Sequence, residues 1–240
     1  MTTALRAQLL SLRTLPSTVV VAACAVAVVA ALNAVDLNGV IRAGALSSPE
    51  LRAIVLGTTG SVCATILMLF AGVKTSGEYR HGTLGLRMLA APRRLSLLAT
   101  MLTSHGIVAA LTAVAALLAT LAVSTSLLSG TGTTLGVTAP VVLAVMLGVT
   151  LFGVLGAAVG VICRSQAAAM SLLVGWFAAE KILGGFLGDA SAYLPFALLN
   201  PLFGAPGGPV APATAAVALT AVTATIVLVA AVLFRRRDVS

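Results

Sequence analysis

Six long apolar runs, joined by connections too short to fold on their own, constrain this chain more than any other feature. They cover Pro16 to about Val35, Leu51 to Val73, Leu95 to Leu128, Pro140 to Cys163, Ala167 to Leu187 and Ala211 to Phe234. A helix needs roughly 20 apolar residues to cross about 30 Å of hydrocarbon, and each run is of that order. The bilayer core offers a bare peptide group no water, so such runs cross as helices that satisfy their own backbone. The expected fold is therefore an all-α membrane protein of six transmembrane helices, a single domain over residues 1–240. Composition agrees: 60% of the residues are hydrophobic and 8% charged, where a soluble domain carries about a quarter charged. Mean hydropathy is +1.14, and a water-soluble enzyme is excluded.

Charge sets the expected orientation. With a cytoplasmic N-terminus, Arg6, Arg13, Lys74, Arg80, Arg87, Arg93, Arg94, Arg164 and Arg235 to Arg237 all lie inside, and only Arg42 and Arg52 fall outside. Cytoplasmic loops are enriched in Lys and Arg, so both termini are expected in the cytoplasm. The net charge of +8 then reflects topology and contact with anionic lipid, not a nucleic-acid partner. Arg6 and Arg13 ahead of the first run, with Ala31-Leu-Asn-Ala34 behind it, resemble a secretory signal. Five further spans make an uncleaved first helix the expectation. Cys24, Cys63 and Cys163 all lie in apolar runs and read as small buried residues, not as a disulfide framework or metal site.

Helix punctuation supports the count. Ser48 is placed to cap the second helix, with Pro49 at its first position and Glu50 near the positive end of the dipole. Pro195, Pro201, Pro206, Pro209 and Pro212 cluster between the fifth and sixth runs. The apolar, aromatic stretch Tyr193 to Phe203 there is expected to form an interfacial or re-entrant outer segment. Between the second and third runs, Lys74 to Arg94 is too polar to span. Thr75 and Glu78 have the spacing of a capping box, Leu84, Met88 and Ala91 recur at helical spacing, and Pro92 supplies a stop. A short amphipathic helix along the inner face is expected, with Gly82 and Gly85 permitting a bend. On these residues alone, a positively charged loop that only holds topology is the other reading.

That segment resembles the corresponding loop of the ABC-2-type permeases, the membrane subunits of a class of ATP-binding-cassette exporters. The family's Glu-x-x-x-Gly-Thr signature appears as Glu78-Tyr79-Arg80-His81-Gly82-Thr83, followed by an apolar stretch ending in Pro92-Arg93-Arg94. The six-span count, Glu180 in the fifth run and Tyr193-Leu-Pro195 beyond it extend the likeness over essentially the whole chain. The resemblance implies a coupling helix that docks on a cytoplasmic ATPase subunit. Residues 78 to 83 would make the contact, with Glu78, Arg80 and His81 as polar groups and Leu84 and Met88 as apolar anchors. It also implies a second permease copy, as a homodimer or heterodimer, in a bacterial cytoplasmic membrane. ATP and magnesium would be held by the partner ATPase and no cofactor by this chain.

The residues argue independently for an external motor. A phosphate-binding loop needs Gly-Lys-Ser/Thr, yet the two lysines, Lys74 and Lys181, follow Val73 and Glu180. His-Glu-x-x-His and Gly-x-Ser-x-Gly are also missing, so no enzyme activity is expected of this chain. Within the spans, Glu180 falls in the outer half of the bilayer, where an acid usually faces a bundle interior or cavity and finds a partner. It is either a candidate for the translocation path or a structural acid at a re-entrant bend. His105 reads as a packing histidine, and Gly156-x-x-x-Gly160 and Gly184-x-x-x-Gly188 as close-packing faces. The competing function is a self-contained carrier or channel that uses Glu180 or His105 for ion coupling.

Overall fold

The computed structural model describes residues 16–43, 48–80, 83–84, 94–129, 135–204 and 209–236. Among these residues there is no strand, and six helices are long and apolar enough to cross a membrane. They are α1 (Pro16–Ala43), α2 (Ser48–Arg80), α3 (Arg94–Leu128), α4 (Ala139–Cys163), α5 (Gln166–Gly184) and α6 (Pro212–Arg236). Proline opens α1 and α6 and sits at the start of α4, where its missing N–H costs no intrahelical bond.

Two apolar clusters establish that the helices alternate in direction. At one end Leu84, Leu97, Leu98, Val161 and Phe234 bring together the end of α2, the start of α3 and the ends of α4 and α6. At the other, Leu37, Leu51, Leu128 and Leu135 join the end of α1, the start of α2, the end of α3 and the approach to α4. The first end carries Lys74, Arg80, Arg94, Arg164, Arg235 and Arg236 and is called the basic end below; the second carries Asp36 and Arg42.

α4 is the axis of the bundle, and its glycines account for that. An added Cβ at Gly156 would collide with the Met68 carbonyl of α2, and one at Gly160 with the Gly72 carbonyl. One at Gly153 would meet Ala109 of α3, and one at Gly148 the Phe203 ring. Bare Cα faces let the backbones approach closely where apolar burial alone does not favour helix association over lipid. The second glycine pair behaves otherwise. Gly184 has nothing within 4 Å of where a Cβ would stand, and Gly188 lies outside the helix at φ +53° with equally open surroundings, so the Gly184/Gly188 packing face is corrected. The helix ends at Gly184 and the backbone turns left-handed at Gly188, which breaks the helical period that spacing assumed.

α1 and α2 outrun their apolar runs. α1 continues through Asp36, Asn38 and Arg42 to Ala43, with Thr58 Oγ1 donating to Asp36 Oδ2 at 2.9 Å. α2 continues past Val73 to Arg80, so no separate helix begins at Lys74 and the capping-box reading of Thr75 is corrected. Thr75 is mid-helix and fully buried beside Gly160. Loss of hydrophobicity ends a membrane span but not a helix, and no glycine or proline strong enough to stop it intervenes before Gly82.

Three helices are further tied by a knot absent from the sequence reading. Asn33 Nδ2 of α1 donates to Thr59 Oγ1 of α2 at 2.8 Å and to Thr120 Oγ1 of α3 at 2.9 Å. Each hydroxyl reaches a carbonyl of its own helix, Thr59 that of Val55 at 2.7 Å and Thr120 that of Ala116 at 2.8 Å, and the two hydroxyl oxygens lie 2.9 Å apart. Both accept from the Asn33 NH2, which is turned toward them. All three side chains are fully buried.

Candidate functional site

The last turns of α2 at the basic end carry the described part of the Glu78–Thr83 signature. Burial falls off along them: Ser76 is fully buried, Glu78 is 9% exposed, Tyr79 is half-buried and Arg80 is exposed. Ser76 Oγ donates to Gly72 O at 2.7 Å, and Thr83 Oγ1 donates to Glu78 O at 3.2 Å, drawing the chain back over the helix end. Leu84 is fully buried among Leu97, Leu98, Met101 and Phe234. Its reading as an apolar anchor for a partner is corrected, because its side chain is enclosed by this chain's own core. His81, Gly82 and Met88 lie outside the described residues, as does the expected amphipathic helix from residue 85 to 93.

α2's end grips the two-residue link between α4 and α5. Arg164 has φ +55°, the left-handed conformation, and its N–H caps α4 by donating to Gly160 O at 3.1 Å. Its guanidinium lies 5.4 Å over the Tyr79 ring, a cation–π contact. One residue on, Arg80 Nη1 donates to Gln166 Oε1 at 3.3 Å. Ser165 caps α5 by accepting from the Ala168 N–H at 3.5 Å. Tyr79 and Arg80 thus join the end of α2 to the α4–α5 link and to the first residue of α5.

α5 is well suited to respond. Among its described residues only Ala169, Leu173 and Glu180 are buried, so it is held near its ends and along one narrow line. At its far end Glu180 is 6% exposed, and its Oε2 accepts from the Phe196 N–H at 2.8 Å. The Trp176 side chain and the Ala197 N–H also face the carboxyl group. The outer connection folds back here: Pro195 opens a short helical stretch whose first i→i−4 bond runs from Leu198 N to Leu194 O at 2.9 Å. Phe196 and Ala197 hold the amides such a stretch leaves unsatisfied at its start, and Leu194 has no side-chain acceptor to offer. Glu180, sixteen residues earlier, supplies it at the positive end of that helical turn.

The stretch that Glu180 holds folds back against the helices. Phe196 packs edge-on against Phe152 in the middle of α4 and Phe177 of α5, with ring centroids 4.8 and 5.0 Å apart. Leu198, Leu199 and Phe203 are buried, and the Phe203 ring lies where Cβ atoms on Gly60 and Gly148 would stand. Lys181 does not share the Glu180 pocket; its side chain is exposed, with Nζ 5.6 Å over the Phe177 ring. His105 Nδ1 bonds Met101 O at 2.8 Å within its own helix, and 3% exposure places it in packed surroundings. Among the described residues no group of three His, Cys, Asp or Glu side chains could hold a metal ion.

No protein-family model matches the chain, and no curated protein is significantly similar to it.

Proposed function

We propose that this chain is the membrane-spanning permease subunit of an ATP-driven exporter of the ABC-2 type, working as a dimer with a separate cytoplasmic ATPase. The observation that carries the reading is the connection at the basic end. Glu78, Tyr79 and Arg80 of the signature end α2 and are joined through Tyr79–Arg164 and Arg80–Gln166 to α5, whose far end holds Glu180 and the re-entrant segment. The positive-inside rule puts the basic end in the cytoplasm of a bacterial cell, within reach of a motor. Nucleotide-driven movement of the ATPase would then act on the end of α2, be passed to α5 as a nearly rigid rod, and reach the re-entrant segment at Glu180 about 21 Å away, at 1.5 Å per residue from Gln166.

Work is extracted only if the two conformations differ in their contacts with ATPase and substrate. In this reading Arg80, exposed at the end of α2, supplies the differential contact on the motor side, and Glu78, only 9% exposed, lies behind it in the same turn. Glu180 lines or borders the path on the other side by holding the re-entrant segment against Phe152 and Phe177. The test is Glu78→Ala in the complex isolated from its native membrane. The variant is expected to insert at the normal level, with the ATPase either lost from the complex or hydrolysing ATP without response to the permease. A complex whose composition and ATPase rate equal wild type contradicts the assignment of this segment.

A further inference from the structure

The glycines between α2 and α4 face backbone: a Cβ at Gly156 would meet the Met68 carbonyl, one at Gly160 the Gly72 carbonyl, and one at Gly72 would stand 3.2 Å from the Gly156 carbonyl. Gly77, buried in the last turn of α2, differs from all three. A Cβ there would stand 2.6 Å from Gln166 Nε2 and 3.6 Å from its Cδ, and among the described residues no other atom beyond the helix's own backbone lies within 4 Å. Glycine weakens a helix, and no left-handed φ calls for one at this position. What the residue supplies is room for one side chain.

Gln166 occupies that room. Its Nε2 lies over the bare Gly77 Cα while its Oε1 accepts from Arg80 Nη1 at 3.3 Å. Positions 77 and 80 are three residues apart and share a face of α2, so a notch and a donor hold the two ends of one carboxamide. Gln166 is also the first residue of α5, a helix whose other buried residues are Ala169, Leu173 and Glu180. We infer that Gly77 is the positioning residue of the α2–α5 connection. Its missing side chain lets the Gln166 carboxamide lie against α2 with Oε1 presented to Arg80, and a side chain at 77 turns that carboxamide away and parts the two helices at the basic end. The functional side of this inference rests on the exporter reading: there, residue 77 decides whether the end of α2 and the start of α5 move together.

Gly77→Ala separates this role from ordinary packing. The atom in its way is the far end of a flexible side chain, and alanine favours the helix. With the full chain in nanodiscs, the variant is expected to unfold at the wild-type temperature or above. Amide exchange over residues 168–172 is nevertheless expected to rise about fivefold, the factor for one hydrogen bond of about 1 kcal/mol. Gln166→Ala should raise exchange by the same factor, and Gly77→Ala added to it should change nothing further, because the first substitution has already removed what Gly77 positions. A lowered unfolding temperature, wild-type exchange in Gly77→Ala, or additive effects of the two substitutions overturns the inference. In the complex isolated with its ATPase, Gly77→Ala leaves Glu78 and Arg80 in place; it should retain the ATPase and abolish its response to the permease. A wild-type response alongside raised exchange overturns the coupling role. A wild-type chain that carries no responsive ATPase removes the exporter reading and the coupling role with it, while the exchange measurements still decide the positioning role.

Discussion

Two buried side chains do more than their numbers suggest. Glu180 stabilises a turn sixteen residues away by accepting the Phe196 amide proton through Oε2. Glu180→Ala should lower stability in detergent by about 1–3 kcal/mol, the cost of leaving buried amides without an acceptor, and Glu180→Gln by distinctly less; equal losses in thermal unfolding would show that the cap is not what the residue supplies. Asn33 joins three helices with one NH2 group. Asn33→Leu should cost about 1–2 kcal/mol, from two interhelical bonds of about 0.6–1 kcal/mol each. Asn33→Asp should cost more, because an ionised carboxylate has no proton for two hydroxyls that accept from the Asn33 NH2. Asn33 is the one asparagine inside the six apolar runs, and that isolation was the signal available in the sequence; its partners, 26 and 87 residues away, were not.

At the scale of elements, the spans were legible because the hydrocarbon thickness imposes a length that any apolar run must meet. What periodicity could not show was where helices exceed the membrane. The two extra turns of α2 carry Thr75, Ser76 and Glu78 into the bundle, and no hydropathy window distinguishes a polar residue buried against a glycine from one in water. Spacing also misjudged Gly184, which resembles Gly156 in sequence and differs wholly in surroundings. The difference is measurable: Gly156→Ala drives a methyl into the Met68 carbonyl and should destabilise by about 1–3 kcal/mol. Gly175→Ala, mid-α5 with open space beside it, should be neutral or stabilising by up to about 1 kcal/mol. Unfolding temperatures of the two single variants settle the comparison, and an equal loss in both would contradict the assignment of α4 as the packed axis and α5 as the loosely held rod.

For the whole molecule, the architecture joins a densely packed α2–α4 centre to a peripheral α5 that touches the basic end at Arg164 and Gln166 and the folded-back segment at Glu180. In the proposed reading a separate motor acts on the exposed Arg80 end, and α5 is the route to the opposite face. The competing carrier reading needs Glu180 or His105 to exchange ions with water, yet both side chains are enclosed, at 6% and 3% exposure. The decisive measurement is reconstitution of the purified chain alone in liposomes under an imposed proton or sodium gradient, with ATP added in a parallel sample. The account predicts neither gradient-driven ion flux nor nucleotide hydrolysis; sustained proton or sodium flux abolished by Glu180→Gln would contradict it.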